Sequence, residues 1–136
     1  MLARARPGDA YRQSNFEARL IASGRDDLVL FCLDDLIDNL GLLEIAESRH
    51  DRAARSRVLT RCVTALTALE IGIDREAEMA ESLAQFYGAA KSMLLDSIRA
   101  IDLEQIAQLR GDLREISAAF RAAKQGTMQA LSLIHI

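Results

Sequence analysis

The sequence predicts an all-α fold: an antiparallel up-down four-helix bundle with a flexible N-terminal arm. Three observations predict it. Apolar residues recur at alternating three- and four-residue spacing in four separate stretches, the period of helices with one buried side. The linkers between those stretches hold only a few residues, so consecutive helices are expected to lie antiparallel as neighbours. The single proline, Pro7, precedes all four stretches, and no strand-like alternation or hairpin turn occurs. The expected organisation is an arm over residues 1–20, a bundle over residues 21–126 and a tail over residues 127–136.

The first helix is expected to open at Ser23, with Asp26 three residues on as a capping-box acid, and to run to about Ser48. Its core stripe is Val29, Leu33, Leu36, Leu40 and Leu43. The second starts near Asp51, buries Val58, Cys62, Leu66, Leu69 and Ile73, and stops at Gly72. The third begins after Asp74, with Glu76 and Glu78 in its first turn against the positive end of the helix dipole. Its stripe is Met79, Leu83, Phe86, Tyr87, Ala90, Leu94 and Ile98. The fourth has the clearest start: Asp102 is the N-cap, Gln105 completes the box, and Ile101 staples onto Ile106. Leu109, Leu113, Ile116, Phe120 and Ala123 continue its core face until Gly126.

A chain of 136 residues is one domain's worth. Half its residues are apolar and 27% are charged with the signs interspersed, the profile of a soluble globular protein. A net charge of -3 supplies no concentrated basic field, so nucleic acid is not expected as a partner. No apolar run approaches membrane-spanning length, and residues 1–8 lack the apolar stretch of a secretory signal. The protein is therefore expected in the cytoplasm. Cys32 and Cys62 are expected as buried, reduced thiols on separate helices. With His50 and His135 they assemble no zinc-type ligand set. Residues 131–136 read Leu-Ser-Leu-Ile-His-Ile, which matches the translation of a transposon end used in preparing sequencing libraries. They are expected to be a readthrough scar, the alternative being a genuine short apolar tail, and carry no weight in the fold argument.

Function is written on the outward faces. Half-way round the first helix from its core stripe, Leu28, Phe31, Leu42 and Ile45 make a second apolar patch. Either a partner chain or the protein's own N-terminal arm covers it, or it is ordinary surface, since Asp35 and Asp38 interrupt it. The back of the second helix carries Thr60, Thr64, Thr67 and Ile71 beside Ala68, with no charge among them. The back of the fourth carries Ala107, Gly111, Ala118 and Ala122. Solvated helix backs usually carry charges, so these smooth strips suit the close approach of a partner. The plainer reading is that alanine is the best helix former, although Gly111 costs about 1 kcal/mol relative to alanine there.

No phosphate-cradling glycine loop, nucleophile elbow or metal-binding histidine pair occurs. Asp34, Asp35 and Asp38 read as a solvated acidic edge. Arg49, Arg52, Arg55, Arg57 and Arg61 read as solvent-facing partners of acidic neighbours, or as a docking patch for an acidic protein. Neither catalysis nor a cofactor is expected.

Several segments resemble one family. Ala10-Tyr11-Arg12-Gln13, then Leu28-Val29-Leu30 through Asp34 with Ile37 and Leu40, are similar to the flagellar export chaperone FliS family. The resemblance continues at Arg57-Val58-Leu59-Thr60-Arg61, at residues 66–69, around Leu83 in residues 80–87, and from Ile101-Asp102 to Arg114, so it covers about residues 10–125. The chain departs from the family pattern at Cys32-Leu33-Asp34, where Leu-Tyr-Asp is usual. It departs again at residues 75–77, where paired glycines are common, and at Phe120, which stands for a tryptophan. The resemblance implies a chaperone that holds flagellin by its disordered C-terminal segment in the cytoplasm, prevents premature polymerisation and presents the subunit to export-gate components. It implies a monomer or weak homodimer. It further implies that the N-terminal arm covers part of the groove until the client displaces it, a role that falls here to Tyr11, with Phe16 and Leu20 beside it. The alternative is a structural bundle whose outer apolar faces build a homo-oligomer.

Overall fold

The computed structural model describes the backbone of residues 7–134 and the side chains of residues 26–126 together with Leu133. Four helices make up the fold: α1 (Pro7–Ser48), α2 (Arg52–Ile71), α3 (Ala80–Asp96) and α4 (Leu103–Ile134). No strand occurs among the described residues.

The helix ends follow from local chemistry. Between α1 and α2 the chain turns at His50, whose φ of 54° lies in the left-handed region that glycine usually occupies. Two hydrogen bonds close the turn, from Asp51 N–H to the Ala46 carbonyl at 3.0 Å and from His50 N–H to the Glu47 carbonyl at 3.1 Å. Asp51 then caps α2, accepting from Ala54 N–H at 3.1 Å, and Gly72 ends it. Asp102 caps α4 as expected, accepting from Glu104 N–H at 3.0 Å and Gln105 N–H at 3.3 Å.

Three boundaries differ from expectation. The bounds of α1 take in residues 7–22, ahead of Ser23; Pro7 suits a first helical turn and no later proline interrupts. α3 starts at Ala80 instead of just after Asp74. There the Asp74 carboxylate takes Glu76 N–H at 3.1 Å, and separate turns close from Ala77 to Asp74 and from Ala80 to Ala77. Met79, placed in the core by its spacing, is consequently exposed. α4 runs through Gly126 to Ile134, because one helix-interior glycine costs too little to break a helix already propagating.

Packing is centred on α1, which lies against α2 on one side and α4 on the other, while α3 packs on α2. Ion pairs fix the directions. Glu44 meets Arg110 at 3.4 Å, Asp34 meets Arg121, and Asp27 meets Lys124, so α1 and α4 are antiparallel. Glu47 pairs with Arg55 across the α1–α2 turn at 3.2 Å, and Glu70 with Lys91 between α2 and α3 at 3.6 Å. The expectation that every consecutive pair packs closely fails for α3 and α4, because α4 takes its place along α1. The acidic edge is corrected too: Asp34 is held between α1 and α4 by Arg121 and by the Ser117 hydroxyl, which donates to it at 3.1 Å.

The interior is the one the apolar spacing selects. Leu33, Leu36, Leu40, Leu43, Val58, Cys62, Leu66, Leu69, Ile73, Tyr87, Ala90, Leu94, Ile106, Leu109 and Leu113 are all buried in one cluster. Val29, Leu83, Phe86, Ile116 and Phe120 are half-buried against it. Ala123, expected in that face, is exposed. Burial beyond the expected stripe falls at Leu30, Ile37 and Leu59. α1 has two neighbours and therefore a wider apolar arc than a helix packed against one neighbour needs. Asn39, also buried, is satisfied within its own helix by donating to the Asp35 carbonyl at 2.9 Å and the Asp35 carboxylate at 3.2 Å.

Candidate partner-binding surface

Two open grooves flank the back of α2. One, of about 270 Å³, lies between α1 and α2 and is lined by Phe31, Cys32, Asp35, Thr60, Arg61, Thr64, Ala65 and Ala68. The other, of about 280 Å³, lies between α2 and the end of α3, lined by Arg55, Ser56, Leu59, Thr60, Val63, Thr64, Leu95 and Ile98. Thr60 and Thr64 belong to both. They form a ridge with a groove on either side, one helical turn apart.

The ridge is more apolar than its residue types suggest. The Thr60 hydroxyl donates back to the Ser56 carbonyl at 3.0 Å, and that of Thr67 to the Val63 carbonyl at 2.9 Å. With the Thr60 hydroxyl committed to its own helix, its methyl group is the part left for a partner. Charge sits at the margins. In the α1–α2 groove Asp35 and Arg61 stand on opposite walls, and in the α2–α3 groove Arg55 is held by Glu47. Burial pushes the Asp35 carboxyl above its ordinary value, with repulsion from Asp38 adding and Arg61 opposing.

Both thiols are less acidic than a free cysteine. Cys62 is pushed up to about 12, by burial first and then by the Asp35 charge, and the Cys32 thiol is raised by the same two causes. Tyr87 beneath them is likewise pushed up to about 12, mainly by burial. Its ring meets Phe86 edge-on at 5.9 Å, so it serves as packing.

The expected partner-facing residues separate into groups. Phe31, Thr60 and Thr64 are brought together at the grooves. Thr67 is half-buried and Ile71, 79% exposed, stands free at the C-terminal end of the same helix back. Leu28, Leu42 and Ile45 are exposed along α1, the last two nearly half. On α4, Ala107, Ala118 and Ala122 are exposed, and a side chain added at Gly111 would meet open space. Neither groove is lined by α4. The side chains of Tyr11, Phe16 and Leu20 lie outside the described residues.

Spacing missed Leu95 and Ile98. Ile98 fits the α3 stripe, yet α3 stops at Asp96, where the Ser97 hydroxyl donates to the Met93 carbonyl at 2.9 Å. Ile98 is thereby turned out, 61% exposed, onto the wall of the α2–α3 groove. Ser97 gives no clear signal, since Thr60 and Thr67 make the same backbone bond inside α2 without ending it.

Among the described residues no His, Cys, Asp and Glu side chains gather as a metal site, and no helix is long and apolar enough to cross a membrane. No curated protein matches the sequence. The family model described as flagellar protein FliS matches residues 7–127, from the start of α1 deep into α4. With that match spanning all four helices, the chain belongs to the FliS family of flagellar export chaperones.

Proposed function

We propose that this chaperone works in the cytoplasm, where it binds the disordered C-terminal segment of flagellin, keeps the subunit from polymerising early and aids its delivery to the export apparatus. The observation that supports the reading best is the Thr60–Thr64 ridge with an apolar groove on each side. A helical segment laid in such grooves buries side chains while its own backbone stays hydrogen-bonded, and an extended one adds its apolar side chains to the same surface.

Energetics favour an extended contact. Ordering about twenty client residues costs about 20–40 kcal/mol of backbone entropy. Offsetting that takes on the order of 800–1600 Å² of apolar burial, more than one groove of this size offers. The client therefore continues over Leu28, Leu42 and Ile45 of α1, along Thr67 and Ile71 of α2, and onto the Ala107, Gly111, Ala118 and Ala122 strip of α4. Tyr11 is assigned to the removable cover.

Calorimetry with a peptide of the cognate flagellin C-terminus tests the reading. Binding with a clearly negative heat-capacity change is expected, since apolar burial dominates. Failure of the folded protein to bind at about micromolar concentration contradicts it. Tyr11→Ala leaves affinity unchanged or raises it if Tyr11 competes with the client. A mass in sedimentation that grows with concentration in the absence of client would instead favour self-association through these faces.

A further inference from the structure

We propose that the distal half of the described stretch of α4, residues 116–126, is a salt-labile latch that leaves α1 as a unit while the proximal half, residues 103–113, stays docked. The two halves are held by different forces. The proximal half buries Ile106, Leu109 and Leu113 in the main core. Beyond Leu113 nothing apolar on α4 is fully buried up to Gly126: Ile116 and Phe120 are half-covered, and Ala118, Ala119, Ala122 and Ala123 are exposed.

Polar contacts take over there. The Ser117 hydroxyl donates to Asp34 at 3.1 Å and accepts from Arg121 at 2.7 Å, Arg121 also pairs with Asp34, and Lys124 pairs with Asp27. Side chains of both ion pairs keep between about a quarter and a half of their surface in water, so dissolved salt screens them. Glu44–Arg110 is a similar pair on the proximal half, but apolar burial supports it there.

Beneath the latch lies Leu30. It sits between Asp27 and Asp34 on α1 and is 8% exposed, yet it is not part of the main core cluster. Opening the latch uncovers Leu30 on the side of α1 that faces α4, between Asp27 and Asp34. The opening is tested without client.

Amide hydrogen exchange of the intact chain, read as the ratio of distal to proximal α4 peptides, decides the matter. Raising salt from about 50 mM to about 500 mM should speed exchange across residues 116–126 roughly fivefold relative to residues 104–113. Asp34→Asn should give most of that acceleration already at low salt and blunt the further response. Lys124→Gln, at an outer pair, should do the same more weakly. Equal salt responses in the two halves, or distal exchange unchanged in both variants, would overturn the proposal.

Discussion

The back of α2 is a ridge between two grooves, whereas the back of α4 is an open strip that borders neither. Both are uncharged and made of small residues. The difference lies in the neighbours. α2 is flanked by α1 and α3, whose Phe31, Leu95 and Ile98 rise as outer walls, and its Thr60 hydroxyl is turned back onto the Ser56 carbonyl. α4 packs closely on α1, with Ile106, Leu109 and Leu113 in the core and charged pairs along its length. A smooth helix back becomes a binding groove where flanking helices supply walls, and otherwise offers a partner only a flat contact.

The largest expected effect follows from that contrast. Thr64→Glu places a charge on the ridge shared by both grooves and should weaken flagellin-peptide binding about tenfold or more in calorimetry. Helical content should be unchanged by circular dichroism, because Thr64 is exposed. Ala118→Glu, on the open strip, should cost only about twofold to threefold, since a charge there keeps much of its water. If Ala118→Glu proves the more damaging, the roles of the two backs are reversed.

The cysteines sharpen the assignment within the α1–α2 groove. Cys32 lines it and Cys62 lies in the core behind. Bound flagellin peptide should slow alkylation of Cys32 several-fold. Cys62, fully buried and pushed up to about 12, should react more slowly than Cys32 with or without client. Protection of neither thiol would move the client out of that groove.

The smallest effect concerns Asp35 on the groove wall. Its folded-state pKa is raised above the ordinary 3.8, by burial first and then by Asp38. Between the two values the folded chain holds more proton than the unfolded one, so this group's contribution to stability falls as pH rises through the folded value. Asp35→Asn should therefore be slightly more stable than the parent near neutral pH, with the gain vanishing below the ordinary value. Urea unfolding at the two pH values measures it.

Sequence periodicity located nearly all of the interior, because buried stripes such as Val58, Cys62, Leu66 and Leu69 obey a single period that any helix must show. Capping chemistry likewise placed the starts of α2 and α4. Boundaries set by competition between local hydrogen bonds were less legible. Asp74 delays α3 by side-chain and turn bonding, and α3 ends at Asp96, before Ile98. The site was half legible: uncharged backs stood out, but the walls at Leu95, Ile98 and Cys32 come from other helices. Which helix stands beside which is a tertiary fact that no stretch of spacing encodes.

Amide chemical-shift mapping of the intact chain with the cognate flagellin C-terminal peptide tests the central claim most directly. The account predicts shifts concentrated on both sides of Thr60 and Thr64, reaching Phe31 and Asp35 on α1 and Leu95 and Ile98 at the end of α3. Saturable binding that leaves those residues unmoved, with shifts confined to other surfaces, would contradict it.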